Sequence, residues 1–172
     1  MKKIISLVVA AVVAANAVEF EFHGSWGVGL GGYSLDSGNG NVNDAVASFY
    51  ADTEFVKLTD KLFYGVGLEA TAYNNPQDKT YSSNSLTTYA FSPLALRYFA
   101  GESASLYAIG SYVIGDMGGW DFDGWGAKVG VDYMVGDHFA IGLAYGYEDL
   151  EPDKGSGELK THRGLLTLGY RW

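Results

Sequence analysis

"DGWGAKVGVDYMVGDHFAIGLAYGY", residues 123–147, holds two runs of strict alternation around one turn. In the first run Trp125, Ala127, Val129, Val131 and Tyr133 share one parity against Lys128 and Asp132. In the second, Phe139, Ile141, Leu143, Tyr145 and Tyr147 oppose only small residues. A period of two sends alternate side chains to opposite faces of a strand, and Gly136-Asp137 between the runs is turn chemistry. The stretch is an antiparallel hairpin with one apolar face.

The same pattern recurs outward along the chain, giving eight strands between turn signals. Residues 19–33 place Phe20, Phe22, Trp26, Val28 and Leu30 together. Residues 47–58 set Phe49, Ala51 and Phe55 against Tyr50, Asp52 and Glu54. Residues 61–73 gather Leu62, Tyr64, Val66, Leu68 and Ala70. The fourth strand, around 86–99, contains Pro93, which predicts a bulge or a break in pairing. The fifth, 105–115, is apolar on both faces and leaves its facing open. The eighth, "GLLTLGYRW" (164–172), sets Leu166, Leu168, Tyr170 and Trp172 against Thr167 and Arg171.

Connections alternate in length. Residues 59–60, 100–103 and 136–137 read as short turns, whereas 34–46, 74–85, 116–122 and 148–159 read as longer polar loops. An up-and-down meander with short turns at one end and loops at the other is the pattern of an outer-membrane barrel. The expected fold is all-β, an eight-stranded antiparallel up-and-down transmembrane β-barrel.

Three observations put lipid, not water, against the large apolar face. The opposite face is dense in glycine (Gly27, Gly29, Gly65, Gly67, Gly126, Gly130, Gly142, Gly146), which suits a crowded interior. Several strands alternate over about 10 residues, enough to cross a bilayer with tilt. Aromatics collect toward strand ends, with Tyr98, Tyr133, Phe139, Tyr170 and Trp172 near the short turns and Tyr33, Tyr112, Tyr145 and Tyr147 near the loops, as interfacial girdles do.

Residues 1–17, "MKKIISLVVAAVVAANA", combine Lys2 and Lys3, an apolar run and small residues at Ala15 and Ala17. That is a secretory signal with cleavage expected after Ala17, leaving 18–172 as the barrel domain. The apolar run is shorter than the roughly 20 residues of a spanning helix. Without Lys2 and Lys3, nine basic side chains face twenty acidic ones, which argues against nucleic acid. The chain has no cysteine, so disulfides and thiolate metal sites are excluded.

The closing "LTLGYRW", with Leu168, Tyr170 and Trp172, resembles the C-terminal signal of bacterial outer-membrane barrels. "LALRYFAG" (94–101) and "KVGVDYMVGDHFAIGLAYGY" (128–147) are similar to strand–turn–strand pieces of the OmpA/OmpX-like family of small barrels. The resemblance implies an integral protein of the Gram-negative outer membrane with both termini periplasmic. It also implies outer-membrane lipid and lipopolysaccharide as surroundings, and handling of Leu168, Tyr170 and Trp172 by the barrel-assembly machinery during biogenesis. A monomer is expected.

Two kinds of chemistry remain to be weighed. Glu21, His23 and Ser25, in "EFHGS", share a parity, and a base between a carboxylate and a hydroxyl is the logic of a serine hydrolase. Some small barrels resembling this one are lipid A deacylases with an H-x-S pair. Those present the pair to lipid, whereas Phe22 and Trp26 place His23 and Ser25 on the lumen side near the short-turn end. Polar side chains satisfied inside a barrel are the expectation, with no catalysis. His138 and His162 have no metal-binding partner spacing, and 148–158 lacks the glycine and glutamate positions of a calcium loop. No cofactor is expected.

The inward charges are the candidate site. By parity Glu21, Asp52, Glu54, Glu69 and Asp132 share the lumen with Arg97, Lys128, Arg163 and Arg171. Unpaired, each would cost several kcal/mol, so pairing or hydration is required. An eight-stranded barrel leaves an interior just wide enough for side chains. A salt-bridge plug is therefore expected, with a narrow porin-like channel as the alternative and a lipid hydrolase a distant third. The loops hold Asp36, Asp44, Asp78, Asp116, Asp121, Asp123, Glu148, Asp149, Glu151, Asp153 and Glu158 against Lys79 and Lys154, an acidic rim that repels anionic headgroups unless divalent cations bridge them. The expected role is structural or surface-interacting.

Overall fold

A computed structural model describes residues 19–36, 41–74, 85–154 and 157–172. The signal segment at 1–17 and the charges Asp78 and Lys79 lie outside the described residues. The elements are β1 (Glu19–Asp36), β2 (Asn41–Lys57), β3 (Leu62–Asn74), β4 (Ser85–Phe99), β5 (Ala104–Met117), β6 (Trp120–Val135), β7 (Phe139–Pro152) and β8 (Leu159–Arg171). Each pairs antiparallel with its sequence neighbours, and β1 pairs with β8 from Ser25↔Arg171 to Asp36↔Lys160. The barrel is closed, which removes every sheet edge, as a bilayer demands of a strand protein.

Facing follows parity. Leu30, Leu68, Tyr133, Leu143 and Leu166 are each about 60% exposed, while Ser48, Thr71, Lys128 and Arg163 are buried. On β6 and β7 the outward apolar row runs from Tyr133 and Phe139 to Trp125 and Tyr147, after which Asp123, Asp149 and Glu151 begin. That change of polarity marks the upper limit of the lipid band. Strand β5 turns Ser105, Tyr107, Ile109 and Val113 inward and Leu106, Tyr112 and Ile114 outward, so its facing is settled. Strand β4 carries the bulge expected from Pro93. Its register shifts between Phe91 and Leu94, so the inward set passes from Leu86, Thr88, Ala90 and Ser92 to Ala95 and Arg97. The Pro93 carbonyl, freed from the ladder, accepts a hydrogen bond from Tyr64 OH at 2.7 Å.

The loop end differs from the expected one. Strands run on past the lipid band, with 18 residues in β1 and 16 in β6, against the about 9–11 that cross a bilayer. The supposed loop at 116–122 is a two-residue turn. Met117 pairs with Trp120, and Gly118 and Gly119 take φ of 65° and 86°. Two successive positive φ values suit the tight turn whose twist matches that of the strands, and glycine adopts them without strain. Likewise 148–152 belongs to β7, and 34–36 and 41–46 to β1 and β2. Asp36, Asp44, Asp116, Asp121, Asp123, Glu148, Asp149 and Glu151 are consequently strand residues, not loop residues.

Strand extension gives the loop end an interior of its own. Leu35, Leu86, Met117, Leu150 and Leu159 are fully buried there, with Tyr33, Val46, Tyr73, Val113 and Phe122. Toward the turns, inward glycines make room for large neighbours. A Cβ on Gly130 would collide with the Tyr107 ring, and one on Gly27 with the Tyr50 hydroxyl.

Candidate functional site

The lumen below the apolar cap holds two tiers of charge. The lower tier centres on Arg97, 2% exposed and carried just past the β4 bulge. Its Nε lies 2.6 Å from Glu54 Oε1 and its Nη1 2.7 Å from Asp132 Oδ2, while Asp52 Oδ2 stands 4.0 Å from Nη2. Nη1 also donates to Ser105 Oγ at 3.1 Å. Arg171, on the last inward position of β8, reaches Asp132 at 4.0 Å and lies over the Phe99 ring.

The upper tier is a chain of four. Lys128 Nζ is 2.9 Å from Glu69 Oε2, which is 3.2 Å from Arg163 Nη2, and Arg163 Nη1 is 2.8 Å from Glu148 Oε1. Thr71 Oγ1 accepts from Arg163 at 2.7 Å, and Tyr73 OH donates to Glu148 Oε2 at 2.8 Å. Tyr50 and Tyr107 separate the tiers. Lys128 Nζ sits 5.0 Å from the Tyr50 centroid, and Arg97 Cζ sits 4.9 Å from the Tyr107 centroid. Such geometry supplies charge–quadrupole attraction as well as packing.

Eight of the nine charges read from parity therefore meet in the barrel: Asp52, Glu54, Glu69, Arg97, Lys128, Asp132, Arg163 and Arg171. Glu21 does not. A bulge between Phe20 and His23 swings it to the exposed end of β1, where it pairs with His23 at 3.2 Å and Lys57 at 3.8 Å. The group that takes its place in the count is Glu148, 1% exposed. Glu148 escapes any reading that ends the seventh strand at Tyr147, although its even parity with Gly142, Ala144 and Gly146 carried the signal.

The trio at the start of β1 is not assembled for acyl transfer. His23 Nε2 faces Glu21 and its ring packs against Phe63 and Phe99 at 5.0 and 5.5 Å, while Ser25 Oγ is buried without a hydrogen-bond partner. A nucleophile needs its base within hydrogen-bond reach, and no such bond joins His23 to Ser25 among the described residues. His138 stacks on Tyr170 at the β6–β7 turn, and His162 hydrogen-bonds Tyr145 on the outer wall. At the seam, Trp172 exchanges backbone hydrogen bonds with Gly24 at 3.0 and 3.3 Å and its ring covers that glycine. Leu168 and Trp172 are exposed, and Tyr170 stacks on Trp26.

A closed eight-stranded barrel, apolar outside and charged inside, is a membrane architecture. Consistent with it, the family model of the outer membrane protein beta-barrel domain matches residues 4–171. The chain belongs to that family. No curated protein sequence matches it. Among solved structures, this outer-membrane barrel resembles Ail, the attachment invasion locus protein of Yersinia pestis. The identity is 15%, the TM-score 0.60, and the match covers 88% of this chain and 99% of that one. Ail has also been solved in complex with the heparin analogue sucrose octasulfate. Neisserial surface protein A is similar at 20% identity and a TM-score of 0.54, covering 87% and 95%. The N-terminal barrel of Pseudomonas aeruginosa OprF matches at 8% identity and a TM-score of 0.54, covering 91% and 100%. At these identities the likeness is one of fold.

Proposed function

We propose that this outer-membrane barrel serves a structural and surface-interaction role in a Gram-negative envelope, with a lumen that is plugged. The turn end, where β1 begins and β8 ends, faces the periplasm, and the loop end faces outward. The observation that carries the plug is the pair of ion tiers lying beneath a fully buried apolar cap. An ion crossing the barrel would have to break Arg97 from Glu54 and Asp132, then pass Leu35, Leu86, Leu150 and Leu159. The second barrier offers no ligand to a desolvated ion, whose transfer into such surroundings is prohibitive. A narrow porin-like channel is the runner-up. Recordings in planar bilayers test the two directly. Purified protein is expected to show no steady conductance, and a stable wild-type conductance sinks the plug.

Catalysis is not part of the proposal. H23A/S25A is expected to leave lipid A acylation unchanged, and a change would restore the hydrolase reading. Outer-membrane lipid and lipopolysaccharide remain the proposed surroundings, and Leu168, Tyr170 and Trp172 the proposed signal for the barrel-assembly machinery. The barrel is proposed to be monomeric. A sulfated polyanion of the kind bound to Ail does not suit this chain. Its outward loop-end positions include Asp116, Asp121, Asp123, Asp149 and Glu151, which repel sulfate.

A further inference from the structure

Where β4, β5 and β6 leave the lipid band, the outer wall carries a groove of 480 Å³. Tyr89, Tyr112 and Ile114, each about half exposed, form its apolar wall. Its other wall is carboxylate. Asp116 stands directly opposite Asp121 in the β5–β6 ladder. Asp153 is tied beside them by its backbone N–H to the Asp121 carbonyl at 3.0 Å. Asp123 accepts the Tyr112 hydroxyl at 2.9 Å. Like charges facing across a ladder destabilise it, and among the described residues none of these carboxylates has a Lys or Arg in an ion pair.

We propose that this groove docks a cationic amphipathic peptide, with lysine or arginine side chains against Asp116, Asp121 and Asp153 and apolar side chains on Tyr89, Tyr112 and Ile114. The volume lies within the about 300–1,000 Å³ of ligand pockets. Among the described residues no three carboxylates converge as metal ligands, which favours a larger cationic body over a bare metal ion. The tyrosine faces add cation–π attraction to the ion pairs. Phosphate headgroups of lipid are repelled by the same carboxylates. A purely hydrophilic polycation leaves the apolar wall unused. The occupant therefore needs both characters.

This partner class rests on the reading of the loop end as the outer surface, and two separate arms test the two. For binding, the barrel is placed in zwitterionic nanodiscs, which expose both ends, and titrated with a fluorescent Leu/Lys amphipathic peptide. D116N/D121N relieves the repulsion between the facing pair, so the variant is expected to unfold no earlier than wild type. It should weaken peptide binding about tenfold, the equivalent of losing two modest charge contacts. D149N/E151Q, which removes the same charge from the neighbouring wall, should weaken it little. Equal loss in both variants, equal affinity for an oligolysine of matched charge, or equal uptake by empty nanodiscs overturns the proposal. For orientation, a cysteine at Gly119 in intact cells is treated with an impermeant maleimide. Failure to label overturns the outward loop end without touching the binding result.

Discussion

Arg97 and Lys57 each face three carboxylates, yet the two clusters are not equivalent. Arg97 meets Glu54, Asp132 and Asp52 inside the barrel, all nearly inaccessible to water. Lys57 meets Glu19, Asp60 and Glu21 at 3.1, 3.6 and 3.8 Å at the exposed turn end. Count and distance are similar, but the medium is not. In the lumen each partner has given up hydration, so losing one strands the others. At the turn end water replaces whatever is removed. The largest expected effect follows. R97A should lower the unfolding free energy in detergent or lipid by about 3–5 kcal/mol, because Glu54 remains buried without its cation and Asp132 keeps only Arg171, at 4.0 Å. Denaturant midpoints measure it. Adding E54Q and D132N to R97M should recover much of that loss, since Arg97 and its two short-range partners are then neutralised together, leaving only Asp52 and Arg171 charged in that tier. If the combined variant is as unstable as R97A, packing rather than charge is what Arg97 supplies.

The cap sharpens the comparison between lumen chemistry and lumen closure. L150A removes a fully buried side chain from the loop end and should cost about 2–5 kcal/mol through lost burial and a residual cavity. R163A should cost a similar amount by leaving Glu148 without its cation, while Lys128 still holds Glu69. The two differ in bilayers. With the cap intact R163A should stay closed. If R163A conducts and L150A does not, the ion tiers alone seal the lumen and the cap is ordinary core.

These contrasts also show which parts of the molecule are legible in the sequence. Alternation places all eight strands, because a barrel wall separates lipid from a crowded interior and each strand must answer both sides. Lys128, Asp132 and Arg163 read as inward by that parity alone. What escapes is strand length. Asp116, Asp121 and Glu148 are polar, and polarity next to Gly and Asp reads as loop, whereas here the strands climb beyond the lipid and polarity no longer signals a turn. Glu148 thus reads as rim when it is the nearest carboxylate to Arg163. Glu21 errs the other way, because parity does not survive a bulge, and nothing in "EFEFH" announces one as Pro93 does in β4. The Gly118-Gly119 pair is the overlooked turn signal. Replacing Gly119, whose φ is 86°, with alanine should cost about 1–2 kcal/mol through left-handed backbone strain. No steric contribution is expected, since a Cβ at that position would meet nothing within 4 Å. Thermal or denaturant unfolding of G119A against G101A, an open turn glycine without that φ, isolates the strain.

The smallest effect belongs to Lys57, and it is informative because the contact geometry alone forecasts a large one. The ammonium is held above the ordinary lysine value, first by its hydrogen bond to Glu19 and then by the charges of Glu19, Asp60 and Glu21. A base whose folded value is raised lends stability that is fully present below the ordinary lysine value and is lost only as pH climbs through the raised one. Nothing in that window falls near neutrality, so no pH dependence is expected from Lys57 under working conditions. K57M should forfeit only that small contribution at neutral pH, far less than R97A loses, because Glu19, Glu21 and Asp60 stay hydrated once the cation is gone. The measurement is the denaturant midpoint of K57M beside that of R97A, at low and high salt. An equal drop in both would mean that the turn end is as dry as the lumen, and the distinction drawn between three carboxylates in water and three in the barrel would fail.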